Sequence, residues 1–199
     1  MKTIILILLL SFLKMPLSAD ALSDSYLFES KGEYNKAFNA LEPKSLESSN
    51  DYFIQLRMGW LALLKADYPK SSSFYQKATL LAPNAIEPRI GNVRALLALG
   101  QYKQVEVACK TILKQDSKNY FARSSLAYTY YVLSNFSEAE KYYDSIVDDY
   151  PADTEMLIGL GWSLLKQNKK DKAKEVFDKL IKIIPKEERV SSGAYYATH

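Results

Sequence analysis

The sequence predicts an all-α solenoid of helix–turn–helix repeats, about five units long, on three observations. Pro83, Ser117, Pro151 and Pro185 each stand 34 residues from the next. Small residues recur in step with them at Gly59, Ala127 and Gly161, and aromatic residues at Tyr68, Tyr102 and Phe136. Self-similarity at a fixed period of this length marks supersecondary units that bury a core only by stacking on their neighbours. Function is then expected on a surface built by several repeats rather than in a catalytic pocket.

Residues 1–19 precede the repeats. Met1-Lys2 is followed by Ile4–Leu13, an apolar run broken only by Ser11, and then by Lys14 and Met15-Pro16-Leu17-Ser18-Ala19. A basic start, a short apolar core and a small-residue exit predict a secretory signal peptide, cut after Ala19 or Ala21. A membrane anchor needs about 20 apolar residues, and Lys14 ends this run well short of that. The expected location is periplasmic or secreted, in a bacterium. Removal of residues 1–19 takes away Lys2 and Lys14 and no acidic residue, so the formal charge falls from +3 to +1. No basic excess remains to hold nucleic acid by counterion release. Cys109 is the single cysteine, which excludes an intramolecular disulfide and leaves stability to packing.

Aligned at the repeat length, the chain divides into 52–85, 86–119, 120–153 and 154–187, with a degenerate unit over 20–51 and a capping helix over 188–199. Each unit holds two stretches of helical length separated by a turn: Gly32-Glu33-Tyr34, Ala66-Asp67-Tyr68, Gly100-Gln101-Tyr102, Ser134-Asn135-Phe136 and Asn168-Lys169-Lys170. Gly, Asn and Ser accept the left-handed or capping geometry that ends one helix and starts the next. Pro69 and Pro88 fall in the first turns of predicted helices, where a missing N–H costs least. Asn50, Asn84, Asn119 and Asp153 stand where the first helix of each unit needs an N-cap. Pro43 is expected to stop the second helix of the first unit near Glu42, leaving 20–51 as a frayed cap.

Two columns are expected to close the helix pairs. Gly59, Val93, Ala127 and Gly161 are small or medium residues on the first helices, facing Ser71, Val105, Ala139 and Ala173 on the second. Four and seven positions further on stand Tyr75 and Ala78, Cys109 and Ile112, Tyr143 and Ile146, Phe177 and Leu180, a single helical stripe.

These columns resemble the tetratricopeptide repeat (TPR) family. Gly161, Ala173, Phe177 and Pro185 follow its consensus, as do Ala139 with Pro151 and Gly32 with Ala37. The column that often carries Trp in the family holds Gln55, Arg89, Arg123 and Leu157 instead. The resemblance implies a right-handed superhelix whose first helices line the concave side.

The first helices also carry a second stripe: Phe53, Leu56, Trp60 and Leu63; Glu87, Ile90, Arg94 and Leu97; Phe121, Ser124, Tyr128 and Tyr131; Glu155, Ile158, Trp162 and Leu165. On the concave side this stripe forms an aromatic groove, a partner site by default. The candidate binding residues are Phe53, Leu56, Trp60, Leu63, Ile90, Arg94, Phe121, Tyr128, Tyr131, Ile158 and Trp162. Arg94 is placed to hold a partner carboxylate or to stack on a ring. Glu87 and Glu155 are expected to favour a ligand with apolar and a few basic side chains. The family's peptide clamp grips a terminal carboxylate with Lys and Asn, but here those places hold mainly Leu, Ile, Trp, Tyr and Ser, with Arg94 and nearby Arg57 the basic candidates. The competing reading of any such stripe is packing between units.

Chemistry beyond binding is not expected. The one histidine is His199, so no Ser-His triad or His metal site assembles within the chain. Cys109 falls in the packed column, Gly-rich phosphate loops are missing, and Asp144 with Asp148-Asp149 reads as a solvated turn. No catalytic residue, metal or cofactor is assigned. The expectation is an exported, non-catalytic scaffold that docks a protein or peptide segment of the cell envelope. Two alternatives use the same face: self-assembly, with Tyr195 and Tyr196 of the C-terminal helix entering a neighbour's groove, and polysaccharide stacking on Trp and Tyr.

Overall fold

The computed structural model describes residues 21–199; the signal-peptide segment 1–19 lies outside the described residues. Eleven α-helices and no strand occur among the described residues: α1 (Ala21–Ser30), α2 (Tyr34–Glu47), α3 (Tyr52–Leu64), α4 (Tyr68–Leu81), α5 (Glu87–Ala98), α6 (Tyr102–Gln115), α7 (Tyr120–Val132), α8 (Phe136–Asp149), α9 (Thr154–Lys166), α10 (Lys170–Ile183) and α11 (Glu188–Thr198). Each helix packs on the next, and α3, α5, α7, α9 and α11 also touch in succession. The result is a solenoid of helix pairs with one continuous core running from α5 to α11 and a second centred on α2 and α3.

The turn inside each pair repeats to the residue. Gly32, Ala66, Gly100, Ser134 and Asn168 have φ of 73°, 62°, 66°, 60° and 60°. The left-handed residue stops the first helix and aims the chain back along it. Gly bears this conformation without strain, whereas Ala66 and Ser134 hold it against the repulsion of their Cβ atoms.

The core is built from wedges. Tyr75, Cys109, Tyr143 and Phe177, one on each of α4, α6, α8 and α10, are all buried. Each enters between the first helix of its own unit and the first helix of the next. A methyl group on Gly59 would stand 2.9 Å from Tyr75 Cδ1, and one on Gly91 2.7 Å from the same atom and nearer still to Cε1 and Cζ. Phe177 is held in the same way between Gly161 and Gly193, and Tyr143 lies against Gly159. Where the wedge shrinks to Cys109, the equivalent flanking positions carry the larger Val93 and Ser125. Wedge and flank therefore vary together, as dense packing requires. Burial pushes the Cys109 thiol up to about 12, which makes it a packing residue and a poor nucleophile.

The structure corrects two local expectations. Pro43 does not end α2, which continues to Glu47. Ala37, Phe38 and Leu41 are fully enclosed on the same helix, and Ser45 Oγ donates to Glu42 O at 2.7 Å in the last turn. Tertiary burial of this face outweighs the hydrogen bond that proline removes. Residues 21–47 thus form a complete helix pair rather than a frayed end. The caps also differ: Asp51, not Asn50, accepts from Ile54 N at the start of α3, and α5 begins after Ile86 without a side-chain cap, leaving Asn84 outside. Asn119 and Asp153 do cap α7 and α9.

The column Gln55, Arg89, Arg123 is structural. Gln55 Nε2 donates to Ser45 O, Arg89 Nη2 to Pro83 O at 2.6 Å, and Arg123 to Ser145 O and Lys118 O while paired with Asp149 at 2.9 Å. These long side chains tie together the last turns of second helices and the loops that follow them; Ser45 O is one of the carbonyls at a helix end that lack a helical partner. Asp149 also receives Lys118, so its carboxyl is held below the ordinary range by those two cations.

Candidate functional site: an aromatic face in two hollows

The stripe on the first helices surrounds two hollows. The first, of 220 Å³, lies among α1, α3 and α5 and is lined by Tyr26, Phe53, Leu56, Arg57, Trp60, Tyr75, Glu87, Gly91 and Arg94. The second, of 530 Å³, lies among α7, α9 and α11, with Tyr128, Tyr131, Tyr143, Ile158 and Trp162 among its walls. Phe53 and Tyr128 are 46% and 49% exposed, so they offer ring faces to solvent. Arg94, in the wall of the first hollow, holds its guanidinium 5.0 Å from the centre of the Phe121 ring on α7 and has no ion-pair partner among the described residues.

The two tryptophans do more than line the face. Trp60 Nε1 donates to Glu29 Oε1 at 2.7 Å. Glu29 also pairs with Arg57, whose Nε donates to Ser25 Oγ at 3.2 Å and whose guanidinium stacks 3.6 Å from the Tyr26 ring centre. Trp60 and Arg57 thereby fasten α1 to α3. At the other end Trp162 Nε1 donates to Arg189 O at 3.1 Å, and its ring packs edge-on to Phe177 and Tyr196. Trp162 thereby fastens α11 to α9. Part of the stripe is packing, as its competing reading holds: Ile158 belongs to the core, at 4% exposed.

Charge along the groove also differs from expectation. Arg57 is consumed by Glu29 and buried, so it is not available to a ligand. Glu155 accepts from Arg189 Nη1 at 2.9 Å and from Nη2 at 2.8 Å, and this pair holds its carboxyl below the usual range. Arg189 Nε donates to Glu187 Oε1 at 2.8 Å. The acidic edge imagined from Glu87 and Glu155 is therefore half neutralised, because residue 189 is an arginine 34 residues after Glu155. Among the described residues Glu87 accepts a side-chain hydrogen bond only from the hydroxyl of Tyr52, at 3.4 Å.

Leu63, Ile90 and Phe121 flank the hollows without lining them. The stripe pattern missed Tyr26, Tyr143, Met156, Gly159, Lys166 and Arg189, which do. A signal for part of this stood in the sequence: Gly91, Ser125, Gly159 and Gly193 form another small-residue column at the repeat interval. Among the described residues no cluster of His, Cys, Asp or Glu has the makings of a metal site, and no helix is long and apolar enough to cross a membrane.

Stacked helix pairs with a left-handed turn in each and an aromatic inner face define a helical-repeat solenoid. The sequence matches the tetratricopeptide repeat family over residues 96–156 and 133–193, and the chain is a tetratricopeptide repeat protein. Its fold is similar to a tetratricopeptide repeat protein from Parabacteroides merdae (17% identity, TM-score 0.79, covering 90% of this chain and 72% of that one). It is also similar to MamA from Desulfovibrio magneticus RS-1 (18% identity, TM-score 0.76, covering 86% and 99%). A third similar structure is YrrB, described as a TPR protein with an unusual peptide-binding site (16% identity, TM-score 0.74, covering 87% and 90%). At these identities the likeness concerns the fold. No curated protein matches the sequence.

Proposed function

We propose that this protein is an exported, non-catalytic scaffold that docks a segment of another cell-envelope protein along the face formed by α3, α5, α7 and α9. The observation that carries the reading is the presence of Phe53 and Tyr128 as half-exposed rings on two hollows that also hold Trp60 and Trp162. Apolar surface gathered around a hollow marks an interaction site where a scattered exposed ring does not, and rigid rings give large contact area at small entropic cost. The peptide-binding site named for YrrB fits this use of the fold. Export rests on the pattern of residues 1–19.

Self-assembly through the C-terminal helix is less favoured, because Tyr196 already packs on Trp162 of its own chain. The test uses Phe53→Ala with Tyr128→Ala, since both rings are half-exposed and the contact of Tyr128 with the edge of Tyr102 on α6, 6.4 Å between centroids, is a peripheral one. Partner capture from the native periplasm by crosslinking should be lost while the melting temperature stays within a few degrees. Undiminished capture with both rings removed overturns the proposal.

A further inference from the structure

The larger hollow exists because one position breaks its column. Leu56, Ile90, Ser124 and Ile158 are equivalent residues of four successive first helices, and Ser124 alone lacks the branched side chain that fills this place elsewhere. Beneath it Gly159 lies against the ring of Tyr143, where a methyl group would collide. Gly159 gives its place to the Tyr143 ring, which forms the floor, and the missing bulk at Ser124 leaves the space between Tyr128, Tyr131 and Trp162 open.

Besides the hydroxyls of Tyr128, Tyr131 and Tyr143, most polar groups around that space are already engaged. Ser124 Oγ donates to Phe121 O at 3.1 Å, Trp162 Nε1 to Arg189 O, and both Glu155 oxygens accept from Arg189. Lys166 is the charged residue of the lining that has no ion-pair partner among the described residues. It stands in a column otherwise apolar, after Leu64, Ala98 and Val132. A volume of 530 Å³ is large enough for one aromatic side chain with its flanking backbone, since small-molecule sites span roughly 300–1,000 Å³.

We infer that this hollow is a socket for a single aromatic side chain of the docked segment, with a carboxylate beside it facing Lys166. The ring enters edge-on or offset against Tyr128, Tyr131 and Trp162, the arrangement that ring quadrupoles favour. The carboxylate supplies the counter-charge that Lys166 lacks. Ser124 sets the specificity: it decides that a ring fits here and not in the neighbouring units. This socket rests on the proposal that the concave face docks a protein segment, and it names the residue that segment presents.

The probe is N-acetyl-4-fluorophenylalanine as its carboxylate, followed by fluorine NMR line broadening on the full protein, with the corresponding amide and N-acetylalanine as competitors. The carboxylate should bind about threefold tighter than the amide, the range of an exposed ion pair, and that advantage should vanish in Lys166→Gln. N-acetylalanine should bind at least about tenfold more weakly, since it lacks the buried ring. Ser124→Leu should abolish binding, and Ser124→Ala should preserve it. Leu at this place is the residue another unit already carries, and a thermal melt checks the fold. Shifts of the Met156 and Ile158 methyl resonances in the unmodified protein locate the probe without any variant. Equal binding of N-acetylalanine or of the amide, binding that survives Ser124→Leu, or methyl shifts elsewhere overturns the socket. A native partner still captured by Ser124→Leu but lost on Phe53→Ala with Tyr128→Ala sinks the socket and leaves the docking face standing.

Discussion

Replacing Gly91 by Ala probes the wedge packing on which the stack depends. In an exposed helix interior this change stabilises by about 0.8–1 kcal/mol. Here the added methyl would stand 2.7 Å from Tyr75 Cδ1 and nearer to two more ring atoms. The ring cannot retreat, because Gly59 on the other side already approaches it within the distance a Cβ would need, and Tyr75 is 3% exposed. Overpacking costs about 1–3 kcal/mol, and contacts this close put Gly91→Ala in the upper part of that range, about 2–3 kcal/mol, above the helical gain. We expect net destabilisation of about 1–2 kcal/mol, lowering the melting temperature by roughly 2–8 °C in a chain of this size. Circular dichroism melts with urea titrations give the measurement. The paired variant is Tyr75→Cys with Gly91→Ser, which recreates the Cys109–Ser125 arrangement one unit later. Tyr75→Cys alone opens a cavity and should cost about 3 kcal/mol; adding Gly91→Ser should recover part of that loss, a favourable coupling of about 1 kcal/mol. A Gly91→Ala protein more stable than its parent, or additive effects in the pair, would refute the wedge account.

Three further outcomes follow. Ala66→Gly and Ser134→Gly, which release φ of 62° and 60°, should each stabilise by about 1 kcal/mol, whereas Gly100→Ala should destabilise by about 1–2 kcal/mol; urea titrations check all three. Glu155 has its carboxyl lowered by Arg189, so the stability it contributes is present above the ordinary carboxylate range and is lost as pH falls through its depressed value. Trp162 emission should therefore shift on acidification below about pH 4 as α11 loosens, and Glu155→Gln should flatten that step. Cys109, with its thiol raised to about 12 by burial, should resist a disulfide-exchange reagent at pH 8 until the protein is unfolded.

The repeat interval and the small-residue columns made the architecture readable before any coordinates, because stacking demands that contact positions recur in every unit. The five left-handed turns were readable for the same reason, even where Ala66 and Ser134 fill them. Pro43 was misread because the local rule for proline says nothing of Phe38 and Leu41 buried on the same helix. Asp51 was missed because Asn50 and Asp51 are both good caps, and only geometry selects between them. At the candidate site, the rings on the first helices were legible as a stripe at helical spacing. Partners from other units were not: that Glu29 takes Arg57 and Trp60, and that Arg189 takes Glu155, depends on contacts 28 to 34 residues apart in sequence. Those contacts turned presumed free charges into fastenings for α1 and α11.

Photo-crosslinking in the native cell envelope tests the central claim most directly, with p-benzoylphenylalanine introduced at Tyr128 on the aromatic face or at Val107, which is 68% exposed on the second helix α6. The account predicts a discrete adduct with another protein from position 128 and none from 107. Equal labelling at both positions, or no adduct from 128, contradicts it.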